Sequence, residues 1–178
     1  MMKQRLTIKF LTLLLVLCGI LALSLQAKDA PKGEMLHWQK YDAALKQAKE
    51  QNRHILVDFT TKWCVWCKVM DTTTFIDSTV VTMLNENFVL AKVDGESYNM
   101  VSLPDGDITE KGLTRQYGVR GYPTTWLLEP DGTKIGPMTG YIDVAKMQYA
   151  LRFVSQNINE QMSFKEYVEK ELKKAGNL

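Results

Sequence analysis

"HILVDFTTKWCVWCK", residues 54–68, joins two patterns that govern how the rest of the chain is read. Its first seven residues, 54–60, are an apolar, β-branched run, the composition of a strand buried on both faces. Asp58 interrupts that run. A buried unpaired carboxylate is costly, so Asp58 calls for a partner or a proton-transfer role. Six residues later comes Cys64, and three after it Cys67, with Val65 and Trp66 between them.

Three chemistries compete for this cysteine pair. A structural zinc ion needs four ligands. The chain has two histidines, His37 and His54, and neither has ligand-pair spacing, so no metal is expected. A structural staple is also weak, because closing a four-residue loop is worth about 2 kcal/mol against about 3 for fifteen residues. Redox exchange suits the spacing better. Helical positions three apart hold their Cβ atoms roughly 5–6 Å apart, and a disulfide asks for about 3.5–4.5 Å. Only a modest tightening of the first turn separates the open pair from the bonded one. If Cys64 opens a helix, unpaired N–H groups and the helix dipole stabilise its thiolate. Cys67, one turn further in, is then expected to be the more buried thiol, and to resolve a mixed disulfide formed by Cys64. Lys68 adds positive charge to the same turn.

The chain's N-terminus bears on compartment. "MMKQRLTIK" is basic, and the 16-residue apolar run "FLTLLLVLCGILALSL" follows, leading to a small residue at Ala27. Residues 1–27 read as an export signal. Leu25 is imperfect for cleavage, which leaves an N-terminal membrane anchor as the alternative. In either case residues 28–178 are expected outside the cytoplasm, in the periplasm if the cell is bacterial, as a single domain with its core at about 54–158. Cys18 lies inside the signal and reads as an apolar filler, so Cys64 and Cys67 become the exported part's only thiols. The formal net charge of +2 includes Lys3, Arg5 and Lys9; without them 19 basic residues face 20 acidic ones. No basic surface argues for nucleic acid.

Residues 35–51 are expected to form an amphipathic helix from the spacing of Trp38, Tyr41, Leu45 and Ala48. A second helix spans 77–88, N-capped by Asp77 or Ser78. "FVLAKVD" (88–94) is another buried-strand pattern, interrupted by Lys92. If the two strands are neighbours, Lys92 can meet Asp58 beneath the cysteine helix; otherwise it reaches the surface from a strand end. Residues 95–108 read as a long polar loop, and 109–118 as a short helix ending at Gly118. "TTWLLE", the "PDG" turn at 130–132 and a run through 138–141 suggest a hairpin. Val144, Met147, Leu151, Val154 and Ile158 mark a helix, and 163–176 a charged helix with Phe164, Val168 and Leu172 on one face, expected to pack onto the domain. The fold class is α/β, a central mixed sheet flanked by helices on both faces.

Three segments now carry a resemblance. "VDFTTKWCVWCK" resembles the active-site segment of the thioredoxin family, "LAKVD" the strand that supplies a lysine beside the buried aspartate, and "YGVRGYPTTWLLEPDG" the segment that carries a cis-proline facing the cysteines. They occur in family order over roughly residues 54–155. The resemblance implies a thioredoxin-like fold and a thiol–disulfide oxidoreductase. Cys64 would be the nucleophile, Cys67 the resolving thiol, Asp58 and Lys92 the proton relay, and Pro123 the cis-proline. Trp63, packed beside the site, and Tyr122, with its free backbone, would meet the client; Trp66, large where the family has a small or turn-forming residue, reads as docking a client or shielding the disulfide. Val65 in place of the usual glycine is similar to the C-terminal thioredoxin-like domain of the bacterial transmembrane electron-transfer reductase, which favours reduction over oxidation or isomerisation. Disulfide-containing exported proteins would be the clients, a membrane component of the thiol–disulfide relay the electron donor, and no cofactor is called for. A different class stays open, a copper-carrying or client-holding module using the two thiolates as soft ligands. The N-terminal helix, the loop 95–108 and the C-terminal helix fall outside the minimal family pattern.

Overall fold

A computed structural model describes residues 35–176, so the readings placed on residues 1–27 and on Cys18 lie outside the described residues. A five-stranded sheet forms the centre, in the order β1 (Trp38–Gln39), β3 (Phe88–Asp94), β2 (His54–Thr60), β6 (Thr124–Leu128), β7 (Lys134–Thr139). The two middle strands, β2 (His54–Thr60) and β3 (Phe88–Asp94), run parallel and in register from His54 opposite Phe88 to Thr60 opposite Asp94. β6 (Thr124–Leu128) is antiparallel to β2, and β7 (Lys134–Thr139) antiparallel to β6. The sheet is mixed and flanked by helices, as the alternation of patterns implies.

Both faces of β2 are covered, which is why its sequence does not alternate. Ile55, Val57 and Phe59 point into one cluster with Val89, Ala91, Leu113 and Tyr117, covered by α1 (Tyr41–Gln51) and α4 (Glu110–Gln116). Leu56 points into the other with Leu90, Met70, Leu84 and Leu151, covered by α2 (Val65–Thr72), α3 (Ser78–Asn87) and α5 (Val144–Ser155). By the two-residue period of a strand, Asp58 and Lys92 belong to this second face, beneath the cysteine helix.

Four expectations are corrected. Trp38–Gln39 is not the first turn of a helix but a short parallel strand, β1, on the free edge of β3. The helix starts at Tyr41, and the apparent helical spacing arose because Trp38 packs edge-on against Phe75 on one face of the sheet while Tyr41, Ala44 and Ala48 pack on the other. Residues 95–108 are not a structureless loop: β4 (Met100–Val101) and β5 (Ile108–Thr109) pair as a small antiparallel sheet. The hairpin's second strand stops at Thr139, because Gly140 takes a positive φ of 80°. Finally, α5 ends at Ser155 rather than 158, since Asn157 adopts the left-handed conformation and a 3-10 turn follows at Ile158–Glu160. The last helix, α6 (Phe164–Lys174), opens with a capping box of Ser163 and Glu166, and Phe164 and Tyr167 stack on Phe153 of α5. It packs onto the domain as its stripe indicates, with Tyr167 as the buried anchor.

Candidate active site

Cys64 and Cys67 are joined, S–S 2.03 Å. Cys64 is the N-cap of α2, and its Sγ accepts the backbone N–H of Cys67 at 3.0 Å. That N–H is one of the donors a helix start leaves unpaired, and in the reduced protein it would be directed at a thiolate. The expectation that Cys67 is the more buried of the two does not hold in the bonded form, where each is 3 % exposed. Val65 and Trp66, between them, are exposed.

Below α2 lies a charged cluster. Asp58 and Lys92 are register partners across β2 and β3, and Lys92 Nζ stands 3.5 Å from Asp58 Oδ2. A second carboxylate, absent from the sequence reading, holds the same ammonium more closely: Asp71 Oδ1 accepts from Lys92 Nζ at 2.6 Å. Asp71 is four residues past Cys67, on the same face of α2, and its contact with Lys92 turns that face toward the sheet. That spacing was legible in the sequence. Asp58 is 1 % exposed, and its Oδ1 has no hydrogen-bond partner among the described residues. On its other side, the cross-strand neighbour Thr125 is equally buried, with an unpartnered Oγ1. Burial pushes the Asp58 carboxyl up to about 6; Lys92 opposes the rise and Asp71 assists it. A group that ionises in this range can exchange a proton with a neighbouring thiol near neutral pH.

The rim is aromatic. Trp63 meets Tyr122 edge-to-face at 5.9 Å, and Trp66 meets Tyr141 at 5.6 Å. Trp63 and Trp66 are both well exposed. Tyr141, which no sequence pattern singled out, is held by the turn after β7 and by a 3.2 Å contact of its hydroxyl with Thr73 at the end of α2. The Tyr122–Pro123 peptide is cis. Pro123 O accepts from Gly140 N at 2.9 Å, while neither backbone polar group of Tyr122 has a backbone partner among the described residues. Gly95 makes room for the Tyr122 ring: a Cβ there would fall 1.9 Å from the hydroxyl oxygen. His37 is exposed, and His54 sits at the start of β2 with Nε2 3.1 Å from Glu129, remote from the cysteines along the strand. Among the described residues no group of three or more His, Cys, Asp or Glu is placed to hold a metal ion.

The sequence model of one family, described as a thioredoxin-like domain, matches residues 41–155. The chain belongs to the thioredoxin-like domain family. A thiol:disulfide interchange protein DsbD of Neisseria meningitidis is 27 % identical over 105 residues, 59 % of this chain and 16 % of the relative. A protein disulfide-isomerase, tigA, of Aspergillus niger is 33 % identical over 113 residues, 64 % of this chain and 27 % of the relative. The chain thus spans about a quarter or less of the length of these relatives. Among solved structures, a thioredoxin from Thermus thermophilus superposes with a TM-score of 0.56 at 30 % identity, covering 68 % of this chain and 88 % of the other. The match spans β2, the cysteine helix, β3 and the cis-proline turn, the same three segments on which the resemblance rested.

Proposed function

We propose that this thioredoxin-like chain is a thiol–disulfide oxidoreductase that reduces disulfides of exported proteins. The carrying observation is the Cys64–Cys67 pair at the N-terminus of α2, set over a buried carboxyl with a free oxygen. In the reduced protein, the Cys64 thiolate attacks a client disulfide, forming a mixed disulfide and releasing one client thiolate. Cys67 then attacks Cys64 Sγ as Asp58 takes its proton, which expels the second client thiolate and closes the Cys64–Cys67 bond. Two electrons pass to the client, and a donor dithiol, delivered by a membrane component of the relay, restores the pair.

Trp63, Trp66 and Tyr122 form the client-facing rim in this reading, and the cis turn at Pro123 presents the unpaired backbone of Tyr122 to an extended client segment. The N-terminal signal or anchor would deliver the chain to the periplasm. Among the described residues no helix is long and apolar enough to cross a membrane. The test is disulfide reduction of an insulin-type substrate by the wild type, Cys64→Ser and Cys67→Ser. Thiol-dependent turnover that both variants lose is the expected result; activity retained in the variants sinks the reading.

A second direction, isomerisation or oxidation, is favoured by one observation, the 33 % identity to a disulfide-isomerase. The equilibrium of the Cys64–Cys67 pair with glutathione separates the two, a strongly oxidising value overturning reduction.

A further inference from the structure

The Lys92 ammonium is held from three directions. Asp71 takes its short hydrogen bond at 2.6 Å, and Asp58 lies at 3.5 Å. The third side is the indole of Trp38, whose ring centroid is 4.8 Å from Nζ, with Phe75 further out at 6.0 Å. Trp38 reaches this place through β1, where it pairs with Leu90, two residues from Lys92 on the same face of β3. Its ring is braced edge-on by Phe75 at 5.0 Å. An aromatic face attracts a cation without competing for a carboxylate, and attracts it more strongly where water is excluded.

We propose that Trp38 is a positioning residue for the proton relay: its ring and Asp71 together hold the Lys92 ammonium beside Asp58 but off its Oδ1, leaving that oxygen free to take the proton of Cys67. The inference rests on the reading of Asp58 as that proton acceptor. It assigns a role to the N-terminal strand, which lies before the segment that matches the family. The charged or titratable groups that face Asp58 are Lys92 from β3, Asp71 from α2 and, once the bond is reduced, the thiols of α2; β6 presents the neutral Thr125. Without the ring, the ammonium, on a side chain already 27 % exposed, is free to close on Asp58. That approach favours the ionised carboxylate, so Asp58 would titrate lower.

Carboxyl-carbon NMR of the oxidised full chain follows Asp58 directly and needs no catalytic activity. Trp38→Leu is expected to move its midpoint down by roughly half a pH unit, and Trp38→Phe to restore most of the difference. In a Lys92→Met background Trp38→Leu should have no further effect. An unmoved midpoint, equal shifts for Leu and Phe, or a shift that persists without Lys92 each overturns the proposal, since the ring would then act by bulk alone. A second measurement uses the wild type only. The ε-methylene protons of Lys92 should resonate upfield of ordinary lysines under the indole ring current, and ordinary positions overturn the proposal even if Trp38→Leu does not fold. Confirmed shifts in a protein with no thiol-dependent turnover would leave the ring's hold on Lys92 standing and reject the oxidoreductase reading.

Discussion

Asp58 is the residue whose energetics and chemistry conflict. Its native carboxyl, near 6, holds a proton more tightly than in the unfolded chain, near 3.9. Its contribution to folding is therefore most favourable below about pH 4, fades as pH rises, and is a full penalty above about pH 6. That difference corresponds to about 3 kcal/mol. Asp58→Asn is thus expected to stabilise the oxidised protein at pH 7 by up to that amount, with no gain at pH 3.5. Denaturant titrations of both proteins at the two pH values measure this, and a gain independent of pH would contradict it. The same variant should slow turnover, which is the sense in which a destabilising residue can be kept for function. Gly95 makes a comparable point about shape. With a Cβ placed 1.9 Å from the Tyr122 hydroxyl, Gly95→Ala must push that ring away. The expected outcome is a several-fold slower reaction with a protein disulfide and little change with a small one, measured by paired stopped-flow experiments.

Elements outside the core of the fold divide into supports and contributors to the site. α6 is a support: it opens on a capping box and rests its aromatic side chains on Phe153 of α5. Ser163→Ala should cost about 1 kcal/mol of stability and leave the exchange rate of the folded protein unchanged, which thermal melts and an activity assay check together. β1 contributes to the site through Trp38. The pair β4–β5 ties the segment after β3 to α4, with Glu110 N donating to Asn99 O and Lys111 N to Ser97 O. That segment begins at Gly95, against Tyr122, so the insertion is anchored at the rim of the site.

At the scale of the whole molecule, the disulfide adds little constraint, because the sheet is buried on both faces and the closed loop is short. Reduction should lower global stability by no more than about 2 kcal/mol, with the far-UV circular dichroism unchanged. Loss of the fold on reduction would mark the bond as a structural staple. By contrast, Leu56→Ala, at the centre of β2 and fully buried, should cost about 2–5 kcal/mol, more than breaking the bond.

How much of this was legible in the chain follows from the range of the forces involved. Local patterns determined β2, β3, the hairpin, the cysteine helix and the five other helices, two of them with one end shifted, because burial on one face or two imprints a period on the residues themselves. The charges inside β2 and β3 marked Asp58 and Lys92 for the same reason: a charge in an apolar run is a local anomaly. β1 was not legible, because a two-residue edge strand has no period, and its pairing depends on where β3 lies. Asp71 could have been read from its four-residue spacing to Cys67, yet its bond to Lys92 depends on how α2 lies across the sheet. Tyr141, Gly95 and the hold of Trp38 on Lys92 arise only when segments distant in sequence are packed together. The residues proposed for the exchange chemistry were thus written locally, while the groups packed around them were decided by tertiary structure, since side-chain neighbours across a sheet leave no spacing in the sequence.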